Sequence, residues 1–215
     1  MFQNDEAVRR PRGRPRIRSD DETRRVVIDA ATREFAANGY AGTSIGSVAL
    51  GAGVSTKTLY RLIPAKTDLF GLVVTDRIGR FMITVDDRAH DAVDVAEALE
   101  RILVAYGTLT LAEETIAINR LVMGECDRFP EIAAAFHEQA IVRTTAAIAT
   151  WLTRQCERGR IRLADPLTAA GMLRGMMIMD PQRAVTLGQR AAPTASEIAE
   201  RAKTCAVLFL SGCRL

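Results

Sequence analysis

Residues 43–70 read TSIGSVALGAGVSTKTLYRLIPAKTDLF. Ile45, Val48 and Ala49 fall three and four apart, the spacing of one helical face. Gly51, Ala52 and Gly53 stop that helix, because glycine loses the most backbone freedom in a helix and reaches the positive φ of a tight turn. Ser55 restarts the chain: its hydroxyl suits the cap of a second helix, with Val54 before the cap and Leu59 inside the helix facing the core. Pro64 ends this second helix, and a longer third begins near Lys66. Two short helices joined by such a turn make a helix-turn-helix, whose second helix fits the DNA major groove.

The residues that carry this pattern also carry a specific resemblance. Gly39-Tyr40, Thr43-Ser44, Ala52-Gly53-Val54-Ser55, Thr58-Leu59-Tyr60 and Lys66 with Asp68-Leu69-Phe70 resemble the DNA-binding domain of the TetR family of transcriptional repressors over about the first third of the chain. The resemblance implies an all-α protein, with an N-terminal three-helix helix-turn-helix domain over 19–65 and a C-terminal helical ligand-binding and dimerisation domain over 66–215. It implies a homodimer that represses from a palindromic double-stranded DNA operator and is released by a small-molecule effector. Leu62, Ile63 and Lys57 depart from the family's usual choices, which bears on operator preference rather than on the fold.

The first turn of a recognition helix faces base edges, and here that turn is Ser55, Thr56, Lys57 and Thr58. Lys57 suits guanine O6 or N7, and Thr56 suits a base edge or a thymine methyl. Thr43, Tyr60 and Lys66 match positions that clamp phosphates in the family, and Arg61 is a further candidate.

Ahead of this head, Ser19 and Glu22 form an S-x-x-E capping box. It opens a helix that runs to about Asn38, placing Val27, Ala30, Ala31 and Phe35 inward and stopping at Gly39. Residues 1–18 form a basic arm in which Pro11, Gly13 and Pro15 forbid a helix. Its RGRPR core, with Arg12, Arg14 and Arg16, resembles an AT-hook whose arginines enter the narrow minor groove of A·T-rich DNA. The same residues also read as a solvated basic tail that binds phosphates without sequence preference.

The 215 residues are 48% hydrophobic, enough for a sizeable core. Residues 1–70 carry 12 Lys or Arg against 8 Asp or Glu, whereas 71–215 carry 17 against 18, so nucleic acid is expected at one end only. Cys126, Cys156, Cys205 and Cys213 form no C-x-x-C pair, and His90 and His137 are the only histidines. No metal, cofactor or catalytic residue is expected, since no metal-ligand cluster, phosphate loop or nucleophile elbow is present. No apolar run approaches the roughly 18–20 residues that span a bilayer, so a soluble, cytoplasmic protein is expected, with no membrane partner. The rival to an effector-controlled regulator is a ligand-independent architectural DNA-binding protein.

Beyond Lys66 the pattern is helical throughout. Helices are expected from Lys66 past Phe81, around Val95–Leu109 and Ile116–Cys126, from Pro130 to Gly159, and over Asp165–Met179 and Ala195–Leu210. Polar loops are expected over 86–94 and around 181–193. The last two helices, rich in small residues, are those that pair between subunits in the family. Met123, Cys126, Trp151, Met172 and Met176 are the candidate effector-binding residues, because methionine and its polarisable neighbours adapt to irregular ligands. Arg120, Glu125 and Arg174 are candidate polar anchors.

Overall fold

A computed structural model describes residues 18–86 and 94–213. The arm, and with it Arg12, Arg14 and Arg16, lies outside the described residues, as does most of the expected 86–94 loop. Regular structure among the described residues is helical: α1 (Asp20–Gly42), α2 (Ile45–Ala52), α3 (Thr56–Leu62), α4 (Lys66–Asp86), α5 (Val95–Thr110), α6 (Glu113–Glu125), α7 (Pro130–Phe136), α8 (Arg143–Glu157), α9 (Pro166–Thr186) and α10 (Ala195–Ser211). A π-helical segment, His137–Val142, joins α7 to α8.

Local chemistry sets the first boundaries. Ser19 Oγ accepts the Glu22 N–H at 3.2 Å while the Glu22 carboxylate accepts the Ser19 N–H at 2.7 Å, which satisfies donors that the start of α1 leaves unpaired. Gly39, with φ 69° and ψ 179°, kinks α1 instead of ending it, and helical bonding resumes to Gly42. Ser44 caps α2. Gly53 closes α2 in the left-handed region at φ 65°, with its N–H returned to the helix carbonyls. Ser55 Oγ then accepts the Thr58 N–H at 3.0 Å to begin α3.

Two apolar cores result. The first joins Val27, Phe35 and Tyr40 of α1, Val48 of α2, Leu59 of α3 and Leu69, Phe70, Val73 and Val74 of α4 to Ile118, Leu121 and Val122 of α6 and Ile132 of α7. Its centre is aromatic: Phe70 meets the rings of Phe35 and Tyr40 edge-on at 5.5 and 5.9 Å, and Phe129 meets Tyr40 at 5.2 Å. This core therefore reaches well past residue 65 and recruits helices from the middle of the chain. The second core gathers Phe81 and Val85 of α4 with Leu99, Tyr106, Trp151, Leu173, Met177 and Ala202. α4 serves both cores, its first half in one and its second half in the other.

Two further sequence expectations need correction. α9 does not stop before Pro181 but runs to Thr186 with Pro181 buried inside it. A proline there cannot donate to the carbonyl four residues back, Met177. Arg201 of α10 makes up the loss, its Nε donating to Met177 O at 2.7 Å and Nη2 to Met176 O at 2.8 Å. The second concerns the helix from Pro130: it reaches Glu157 as expected, but with the π-helical segment inserted. Such segments recur at functional sites. Among the described residues no helix is long and apolar enough to cross a membrane.

Candidate DNA interface and effector cavity

α3 is held by its buried Leu59 and turns Ser55, Thr56, Lys57, Tyr60 and Arg61 to the exterior. Thr56, Lys57 and Tyr60 are exposed, and their side chains make no hydrogen bond or ion pair within the described residues. Ser55 is committed to the cap, its Oγ also lying 2.8 Å from Thr58 Oγ1. The other expected contact residues are engaged inside the protein. Thr43 is buried, its hydroxyl donating to Gly39 O at 2.7 Å. Arg61 grips Asp20 with two bonds, at 3.0 and 2.7 Å, and tethers α3 to the start of α1. That hydrogen-bonded carboxylate raises the Arg61 pKa further above its ordinary value. Lys66 Nζ donates to the Tyr40 carbonyl and sits 4.4 Å above the Tyr40 ring. Burial lowers the Lys66 pKa, with nearby Glu125 opposing.

Besides the shared core, a polar clasp that sequence spacing does not mark fastens the head to the rest of the chain. The Glu125 carboxylate, in the last turn of α6, accepts the N–H of Tyr40 through Oε1 and of Ala41 through Oε2, both at 2.8 Å. These donors are freed by the kink at Gly39. A Cβ on Gly39 would lie 2.6 Å from Glu125 Oε1, so the clasp requires glycine for space as well as for its positive φ.

A cavity of about 140 Å³ lies on the seam between the two cores. Val74 and Ile118 reach it from the first core, Tyr106 from the second, and Ile78, Leu109 and Ile141 complete most of its apolar wall. Ala140 and Ile141 come from the π-helical segment, so the irregular backbone lines the cavity directly. Polar groups enter from Arg77, Thr115, Asn119, Arg174 and Gln182. A groove of about 510 Å³ between α4 and α5 shares Arg77, Leu109 and Thr115 with the cavity and leads out to the surface.

None of the five expected effector-binding residues lines this cavity. Met123 and Met172 are exposed, Trp151 is sealed in the second core, Met176 packs against that core, and Cys126 ends α6 with its thiol 3.7 Å from Met123 O. Helical period places a residue on an apolar face without saying whether that face meets a core, a cavity or the exterior. Of the expected anchors only Arg174 reaches the cavity. Arg120 donates to Thr186 O at 2.8 Å and to Val185 O, capping the end of α9, and Glu125 forms the clasp. Tyr106 and Thr115, which do line the cavity, are not among the expected residues. Nothing in the sequence distinguishes them from other core and surface positions.

Comparison with known proteins fits this arrangement. Residues 27–73 match the family described as bacterial regulatory proteins, tetR family, and residues 97–212 match the AefR-like transcriptional repressor C-terminal domain, more than half of the chain. The chain belongs to the TetR family. TetR-family proteins are DNA-binding transcriptional repressors built on an all-α fold, and the helix-turn-helix of α2 and α3 is the part of this chain that serves DNA binding. A Mesorhizobium loti protein described as a TetR-family transcriptional regulator superposes over 92% of this chain and 100% of its own, at 26% identity and a TM-score of 0.79. FadR from Bacillus subtilis, solved with stearoyl-CoA, shares the TetR fold over 87% of this chain and 98% of its own, at 20% identity and a TM-score of 0.68. In sequence, the fatty acid metabolism regulator protein of Bacillus subtilis is 25% identical over 92 residues. That match spans 43% of this chain and about half of the relative, 47%.

Proposed function

We propose that this TetR-family member is a cytoplasmic homodimeric repressor that reads a palindromic operator through the first turn of α3 and leaves it when a small molecule fills the seam cavity. The observation that carries this reading is the position of the cavity, walled jointly by the core that holds the DNA-reading head and by the core of the body. A cavity near 150 Å³ accepts a body the size of benzene. A larger occupant must widen the seam, and α4 and α6, which line it, both pack into the core of the head. A difference of a few kcal/mol in ligand affinity between the two arrangements is enough to shift operator occupancy, and DNA must weaken the ligand to the same degree. The stearoyl-CoA complex of the Bacillus subtilis relative and a flavonoid-responsive regulator, FrrA, with a TM-score of 0.70 and 24% identity over 90% of this chain and 98% of its own, support ligand control of this fold.

Dimerisation rests on α9 and α10. Leu167, Met172 and Met179 on α9 and Val207 and Leu208 on α10 are large, apolar and exposed. A methyl group added at Gly171 or Gly175 would meet nothing within 4 Å, so the α9 backbone is open to a second copy. A two-fold pair matches a palindrome, with recognition helices about 34–36 Å apart on one turn of DNA.

The test is selection of bound fragments from a random DNA pool at physiological salt. A palindrome bound about 10³-fold or more tighter than bulk DNA is the expected result. Recovery of A·T-rich sequence without a repeat would overturn it in favour of an architectural protein acting through the arginine arm.

A further inference from the structure

We infer that the seam cavity is built for a small organic anion, an aromatic or short-chain monocarboxylate whose carboxylate meets Arg174. The inference deepens the effector reading above and rests on that cavity being the effector site. Its ground is the balance of hydrogen-bonding groups. Among the described residues no Asp or Glu lines the cavity, yet the Arg174 guanidinium does. Arg174 Nε donates to Tyr106 Oη at 2.8 Å and Nη1 to Thr145 Oγ1 at 2.6 Å, both neutral acceptors, and no carboxylate pairs with it among the described residues. The Tyr106 hydroxyl receives that bond and has no acceptor for its own proton among the described residues. Thr115 Oγ1 is buried without any partner there. Among the described residues the cavity thus holds a cation with no carboxylate partner and two hydroxyls with no acceptor, groups of the kind that a carboxylate satisfies.

The remaining features set size and route. Ile78, Ile118, Phe136 and Ile141 also line the cavity and would hold a ring or short chain. A volume of about 140 Å³ fits a benzene-sized body and not a long acyl tail in this arrangement. Arg77 lines both cavity and groove and Arg80 lines the groove, against Asp76, so among the described residues the approach carries two cations and one carboxylate. Arg77 is itself paired with Glu114 at 3.6 Å, which leaves Arg174 as the cavity's cation without a carboxylate partner among the described residues.

The test uses the full chain with three probes of matched shape: benzoate, benzyl alcohol and benzylamine, read by calorimetry and thermal shift. Benzoate should bind at least about 10-fold more tightly than benzyl alcohol, the margin of one hydrogen bond to a charged group, and benzylamine should not bind. Arg174→Met should erase the preference for benzoate, and Arg174→Lys should keep part of it. Thr115→Val should weaken benzoate while leaving unchanged or raising the Tm of the ligand-free protein, because it removes an unsatisfied hydroxyl. Equal or tighter binding of benzyl alcohol, no binding of benzoate, or an unchanged benzoate affinity in both Arg174 variants would overturn the assignment. Selective benzoate binding that leaves operator affinity untouched would instead sink effector control and spare the anion site. Release of the operator by a neutral ligand in this cavity would do the reverse.

Discussion

Glu125 Oε1 accepts the backbone N–H of Tyr40 at 2.8 Å across 85 positions of sequence. With the matching bond to Ala41, it fixes the end of α6 to the kinked end of α1. α6 also lines the seam cavity through Thr115, Ile118 and Asn119, so one helix touches that cavity at its start and the helix-turn-helix head at its end.

Glu125→Gln should therefore do two things. It weakens charge-assisted bonds to two backbone donors, which should cost about 1–2 kcal/mol in denaturant unfolding. It should also reduce the factor by which an effector changes operator affinity, measured as the ratio of DNA Kd with and without saturating ligand. A variant with the stability loss and an unchanged ratio would assign the clasp a structural role only.

The helix-turn-helix was legible because its determinants are local. Ser55 as cap, Gly53 as left-handed turn and Leu59 as buried anchor depend only on residues within a few positions. The cavity was not legible, because Tyr106, Thr115 and Arg174 come from three helices whose meeting is set by packing. Pro181 misled for a related reason: the arginine that supplies its missing hydrogen bond lies on another helix, 24 positions away from Met177. Thr43, Arg61 and Lys66 show the same limit at the DNA head, where an exposed-looking polar residue turned out to bond its own fold.

The exposed apolar face of α9 and α10 predicts that Met172→Glu combined with Leu208→Glu will yield monomers in sedimentation while α-helical content is kept. Neither side chain is part of a buried core. Operator affinity should then fall steeply, since a single head reads only one half-site. A double variant that remains dimeric would place the interface elsewhere.

Acid should weaken the helix caps. Glu22 is held below its ordinary value of 4.5 chiefly by the Ser19 backbone N–H, Asp165 below 3.8 by the Thr168 hydroxyl, and Glu197 below 4.5 by the Thr194 backbone N–H. Each is more acidic folded than unfolded, so its contribution is complete above the ordinary value and is lost as pH falls through the lower folded one. Glu197→Gln should accordingly lower the Tm at pH 7 and flatten its decline below about pH 4.5. An unchanged slope would remove this capping box from the acid response.

Deleting residues 1–17 tests the basic arm while keeping Arg18, whose guanidinium donates to Ala52 O at 3.3 Å. The salt dependence of DNA binding should become shallower, by about 0.9 in log–log slope for each phosphate that the arm no longer neutralises. If the arm enters the minor groove, the drop in affinity should be larger on A·T-rich flanks than on G·C-rich ones. An equal drop on both would leave it as a basic tail.

Base readout by the exposed first turn of α3 is tested most directly by Lys57→Ala. Binding of wild type and variant would be measured on the selected operator and on bulk DNA at one salt concentration. If Lys57 reads a base, the variant loses about 1–3 kcal/mol on the operator, confined to one base pair per half-site, with little change on bulk DNA. An equal loss on both would mean that Lys57 meets only phosphate, and sequence readout by this turn through Lys57 would be wrong.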